Sequence, residues 1–258
     1  MIIFVFDGSF NGLLSAVFEF YERKPKTVKL VWQKYHQPAL LDESTLVYTD
    51  DTKAERVWKG LEKKLSKQGL EMFYKAYLSE QPEVLQKLFD FARYIFDNPK
   101  GAEHNFGNPY VLAIANATRK VDREKHRMKA FIRFQKTADN VYYAPIEPDF
   151  NVLPLIATFF KERYADQHWV IYDIKREYGL YYNLKTVTQI NYEFIAGINT
   201  SKIKLPEEVI DETELLSSTL WKDYFKSTNI PERKNTKLHL QHVPKRYWKY
   251  LNEKEGEN

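Results

Sequence analysis

The chain has 258 residues, 43% of them hydrophobic and 29% charged, with a formal net charge of +4. That length buries a substantial core and permits one large domain or two smaller ones. Cysteine is absent, which excludes disulfides, thiolate zinc sites and a self-contained cysteine-ligated iron–sulfur cluster, and the modest charge means that an anionic partner must be held by a local patch.

Ile2 to Phe6 is a short apolar run that reads as a buried strand. It stops at Asp7, too early for a signal peptide, and no apolar run approaches the roughly 18 residues of a membrane span. A cytoplasmic protein without a membrane partner is expected. Leu13, Leu14, Val17, Phe18 and Tyr21 follow at helical spacing, so the start is strand, turn, helix. Asp7 and Ser9 suit the turn and the helix N-cap, and Gly8 allows a tight backbone. Free amides at such a helix start also suit a phosphate, which makes Asp7, Gly8 and Ser9 a candidate phosphate-binding turn beside the plainer reading of a capped turn. Lys29 to Trp32 and Thr45 to Thr49 read as further strands, and Asp50-Asp51-Thr52 caps a helix reaching about Leu65.

From Gly69 to Arg127 the pattern is helical nearly throughout. Leu70, Phe73, Tyr74 and Tyr77 form one stripe, and Val84 to Phe96 form another, started by Pro82 and stopped at Asn98-Pro99. A third helix starts at Pro109. His104, in the intervening loop, reads as a solvated polar residue. Between Arg119 and Lys136 eight Lys or Arg stand against Asp122 and Glu124, a run that fits either a solvated face or an anion-binding one.

The stretch from His126 to Arg176 carries the candidate platform. Ala130, Ile132 and Phe134 alternate with Phe131, Arg133 and Gln135, which predicts a strand from Lys129 paired through Thr137–Asn140 with Val141–Ala144. Asp149 or Asn151 is placed to cap the next helix, whose stripe is Leu153, Ile156, Ala157, Phe160 and Tyr164. Trp169 to Ile174 and Leu180 to Leu184 then make a second hairpin. The expected architecture is α+β: an N-terminal strand-turn-helix segment over residues 1–80, then a core over 81–258. That core comprises a helical middle and an antiparallel ββαββ sheet with the C-terminal basic-aromatic segment packed on it.

Between Pro231 and Lys249 six cations oppose only Glu232. If this cluster meets the central one, Lys129, Arg133, Arg163, Arg176, Arg233, Lys245 and Arg246 would contact phosphates while Trp169 and Trp248 stack on bases. Each of these residues also has an ordinary structural reading, as a surface charge, an ion pair or a core aromatic. His239 and His242 are three apart in an extended LHLQH without a carboxylate nearby, so no metal site and no cofactor is expected. Glu147, Asp149 and Asp173 are the carboxylates that could serve acid–base chemistry, although carboxylates beside arginines are commonly structural ion pairs.

DGSFNGLLSAVFEFYE, HRMKAFIRF, FFKERYADQHWVIYDIKR, LWKDYFKSTNIPERKN and VPKRYWKYLNEKE occur in that order. Together they resemble a bacterial family of DNA metabolism and DNA repair proteins whose core is a domain of unknown function. The resemblance implies a gene neighbourhood with a radical-SAM protein of DNA repair, and in some members a C-terminal uracil-DNA glycosylase domain, for which this chain leaves no room. It implies no catalytic residue. Three functions follow as expectations: an accessory protein that binds DNA and acts with a radical-SAM partner, a nucleic-acid-processing hydrolase using the acidic residues, or a module that binds the radical-SAM protein without touching DNA.

Overall fold

Ile2–Phe6 (β1) is apolar at every position because both of its faces are covered, the pattern of a parallel strand. In the computed structural model, which describes residues 2–38, 43–138, 140–191 and 243–251, β1 lies between two parallel neighbours. These are Val28–Trp32 (β2), in register from Ile2 opposite Val28 to Phe6 opposite Trp32, and Ser44–Leu46 (β3). The chain divides into two compact units, Met1–Arg123 and Glu124–Asn258.

In the first unit Phe10–Arg23 (α1) follows β1, and its N-cap Ser9 accepts the Gly12 amide. Asp51–Lys64 (α2) starts on Asp50, whose carboxylate accepts the Thr52 and Lys53 amides. Lys67–Tyr77 (α3) starts on Ser66, and Pro82–Asp97 (α4) on a proline whose missing N–H costs nothing at that position. The apolar stripes of these helices meet β1 and β2 in one core containing Phe4, Phe6, Leu13, Phe73, Phe89 and Phe91. His104 is exposed in its loop, beside the buried Glu103, whose carboxylate takes the Ser66 amide.

The second unit begins inside Pro109–Phe131 (α5). Here the expectation of a strand from Lys129 is corrected: the helix continues to Phe131, and only Gln135–Lys136 (β4) pairs with Tyr142–Ile146 (β5). Val121, Met128 and Ile132 are all buried, and that helical stripe prevails over the local alternation. Arg133 fits the helix end, since its Nη1 donates to the carbonyls of Ala130 and Ile132.

Leu153–Arg163 (α6) then crosses over to Trp169–Asp173 (β6), followed by Tyr178–Tyr182 (β7) and Val187–Asn191 (β8). The order is β4-β5-β6-β7-β8. The α+β class is as expected, but the sheet is mixed and has a fifth strand, because the long helical crossover returns the chain beside β5 in the same direction. Neither expected cap closes α6, which follows Val152 without a side-chain cap. The Asn151 side chain instead accepts the Tyr178 hydroxyl, and Asp149 pairs with Arg246. Lys245–Tyr250 forms a short 3-10 turn. Arg233, His239, His242 and the acidic run from Leu205 to Glu214 lie outside the described residues.

Candidate functional site

Parallel pairing of β5 with β6 puts the carboxyl ends of both strands at one edge of the sheet. Glu147, Pro148 and Asp149 leave β5 there, and Asp173 ends β6. Asp173 is fully buried, and its Oδ1 accepts the amides of Lys175 and Arg176, which shapes the turn into β7. Its Oδ2 accepts Arg176 Nη1 at 2.7 Å. Arg176 also donates to the carbonyls of Pro148 and Asp149, so one guanidinium ties the β6–β7 turn to the chain leaving β5. Burial pushes the Asp173 carboxyl above its ordinary value, and the Arg176 charge and hydrogen bonds offset only part of that.

A second carboxylate reaches the same place from α5. Glu124 is buried to 1% exposure and accepts the Asp149 amide at 2.9 Å and the Tyr247 hydroxyl at 2.6 and 2.7 Å. Arg246 spans Glu124 and Asp149, at 3.3 and 2.6 Å. Glu147 is held by Lys249 and accepts the Tyr250 hydroxyl at 2.9 Å. The Lys249 and Tyr250 hydrogen bonds keep its carboxyl below the usual range. Tyr247 and Tyr250 are pushed well above an ordinary phenol by burial first and then by the carboxylates they donate to.

The three carboxylates that the sequence offers for acid–base work, Glu147, Asp149 and Asp173, therefore do meet at one strand end, and each faces a cation. A base must hold a lone pair free for the proton it removes. Both oxygens of the buried Asp173 are taken, by Arg176 and by the Lys175 and Arg176 amides, whereas among the described residues Glu147 and Asp149 meet their partners through Oε2 and Oδ2 alone. Among the described residues no group of three or more His, Asp or Glu is placed to hold a metal ion.

The basic candidates do not gather at one place. Arg176 and Arg246 belong to the acidic strand end, where Lys249 joins them. Lys129 and Arg163 flank an aromatic cluster where the end of α5 meets α6, whereas Arg133 turns its guanidinium to the carbonyls at the end of α5. Lys129 Nζ stands 4.5 Å over the Phe159 ring. Phe134 packs edge-on against Phe160 and Tyr164 at 5.7 and 5.2 Å, and the exposed Arg163 lies 5.8 Å from the Tyr164 ring. Trp169 is buried between Phe160 and Tyr182, and Trp248 is buried with its Nε1 donating to Val243 O. Lys245 is exposed and lies 5.6 Å over the Trp248 ring.

The N-terminal turn is ordered by its own side chains. Asp7 accepts the Ser9 amide and hydroxyl at 2.9 and 2.7 Å through Oδ1, and the Thr49 hydroxyl at 2.8 Å through Oδ2. Gly8 takes φ 87°, and its carbonyl accepts the Tyr77 hydroxyl. Burial would raise the Asp7 carboxyl, but the Ser9 and Thr49 hydrogen bonds outweigh it and the net shift is downward. An incoming phosphate would meet that carboxylate at the helix start.

A family model for DUF4130, described as a domain of unknown function, matches residues 82–253. The chain belongs to that family. No curated protein matches it. The DUF4130 match takes in the whole acidic strand end, the α5–α6 cluster and the Lys245–Tyr250 turn. Sequence reasoning passed over Glu124 at the centre of this DUF4130 site. Its signal was an acidic residue set between Val121 and Met128 on the buried stripe of α5. The partners Arg246 and Tyr247 lie more than a hundred residues away. Among the described residues no helix is long and apolar enough to cross a membrane.

Proposed function

We propose that this DUF4130 protein is a cytoplasmic accessory of DNA repair or DNA modification, which binds nucleic acid and acts with a radical-SAM enzyme. The observation that carries the reading is the grouping of Lys129 and Arg163 around Phe134, Phe159 and Tyr164. Cations that contact phosphates beside rings that accept bases are what a single-stranded nucleic acid requires. The pairing of Glu147, Asp149 and Asp173 with cations gives these carboxylates a structural role, which suits a binding protein. The radical-SAM partner rests on the family resemblance of the five sequence motifs. The absence of cysteine assigns any cluster-dependent radical step to that partner.

The test is binding to fluorescent single- and double-stranded DNA across a salt series, with a Lys129→Ala/Arg163→Ala double variant alongside. Affinity should fall with salt. In the variant the slope of log K against log salt should be shallower by about 1.4 for single strands, the loss of two phosphate contacts. Absence of binding at low salt would sink the reading. Salt-insensitive capture of the radical-SAM protein would then make the chain a protein-interaction module.

A further inference from the structure

The Lys245–Tyr250 turn has the composition of a nucleic-acid contact, yet its charges are spent on the protein itself. In KRYWKY each cation stands over an aromatic ring of its own segment: Lys245 over Trp248, Arg246 over Tyr247 at 4.5 Å, and Lys249 over Tyr250 at 4.9 Å. Arg246 is bound to Glu124 and Asp149, and Lys249 to Glu147. Two of the three cations that could meet phosphates are thus neutralised by carboxylates at the end of β5 and on α5.

The way the turn is attached suits release. Its backbone hydrogen bonds, Tyr247 N to Pro244 O and Leu251 N to Trp248 O, close within the segment. Among the described residues, its attachment to the sheet and to α5 is made by side chains. Short 3-10 turns have poor hydrogen-bond geometry and little stability of their own. Two of the anchoring acids, Glu147 and Asp149, are 40% and 46% exposed, so water and competing anions reach these ion pairs. The buried Tyr247, Trp248 and Leu251 keep the turn seated when nothing competes.

We propose that residues 243–251 form an autoinhibitory clasp, in which Glu124, Glu147 and Asp149 occupy Arg246 and Lys249 until nucleic-acid phosphates displace them. The proposal rests on the nucleic-acid reading above and assigns it a regulated surface. In the closed form the DNA-contacting cations are those around Phe159 and Tyr164. In the open form Arg246 and Lys249 join them, and Trp248 and Tyr250 lose their cover and can stack on bases.

The test uses the full chain and a Glu147→Gln/Asp149→Asn variant. A Glu55→Gln/Glu62→Gln variant on α2 serves as a control with the same change in charge. Amide exchange read by mass spectrometry over residues 245–251 should accelerate about tenfold or more in the first variant while β6 keeps its protection, because a local unit opens without the fold. Single-stranded DNA affinity should rise about tenfold over the control, with a salt slope steeper by about 1.4 as two phosphate contacts are added. Adding Lys249→Ala should abolish part of that gain. Exchange that stays unchanged at 245–251, or rises in step with β6, overturns the clasp. Accelerated exchange without DNA binding by any form instead overturns the nucleic-acid reading and leaves an opening turn with no phosphate to compete for it.

Discussion

Replacing Asp173 by alanine should lower the unfolding free energy by about 3–5 kcal/mol, the range for removing one partner of a buried ion pair. The Arg176 guanidinium, whose side chain is 9% exposed, loses its carboxylate and keeps the Pro148 and Asp149 carbonyls, while the amides of Lys175 and Arg176 lose the Asp173 oxygen they share. Asp173→Asn should cost less, about 1–3 kcal/mol, because an amide oxygen still accepts the two backbone N–H groups while the charge partner of Arg176 is lost. The pH dependence separates the two roles. Burial raises the folded-state pKa of Asp173 above the ordinary aspartate value of 3.8. Between the unfolded and the folded pKa the native state therefore binds more protons, and this carboxyl's contribution to stability declines as pH rises through that window. The asparagine variant should lose that slope. Chemical denaturation at a series of pH values reads both effects. A cost for Asp173→Ala below about 1 kcal/mol would mean that the carboxylate is not committed to Arg176, and would return it to consideration as a base.

What the sequence reveals follows the distance over which each interaction acts. β1, α1, α2 and α4 are legible because their signals are local: a five-residue apolar run, Ser9 and Asp50 as caps, Pro82 at a helix start. Lys129 to Phe134 misleads because a strand-like alternation six residues long overlaps a helical stripe that becomes visible only with Val121 and Met128 included. The direction of β6 is hidden for a similar reason, since a helix after a hairpin can return on either side and the parallel pairing is decided by the sheet. For the site, residue type was informative and partnership was not. Glu147, Asp149 and Asp173 could be picked out as carboxylates of interest. That Arg246 and Lys249 would neutralise two of them depends on contacts across about a hundred residues. Trp169 and Trp248 illustrate the same limit, because an aromatic interleaved with cations looks alike whether it faces solvent or the core.

Gly8→Ala should destabilise the first unit by about 3 kcal/mol or more, from two sources that a second glycine allows to be separated. With φ at 87°, an alanine there carries the left-handed penalty of about 1–2 kcal/mol. Its Cβ would also fall 2.0 Å from Trp32 Nε1 and 2.1 Å from Cε2, far inside contact distance. The indole cannot swing away without cost, because Nε1 donates to Asp7 O at 3.0 Å and the ring packs edge-on against Tyr35. Gly101 has a similar φ of 95°, and a Cβ added there would meet nothing within 4 Å, so Gly101→Ala should show the backbone penalty alone, about 1–2 kcal/mol. The difference between the two variants, read from denaturant midpoints on the full chain, isolates the clash with Trp32. Shortening that side chain in Gly8→Ala/Trp32→Ala should recover part of the difference if the clash is its source. Equal costs for Gly8→Ala and Gly101→Ala would mean that Trp32 yields freely. The turn that holds Asp7 against Ser9 and Thr49 would then be a mobile element rather than a fixed one, and its carboxylate could move away from the start of α1.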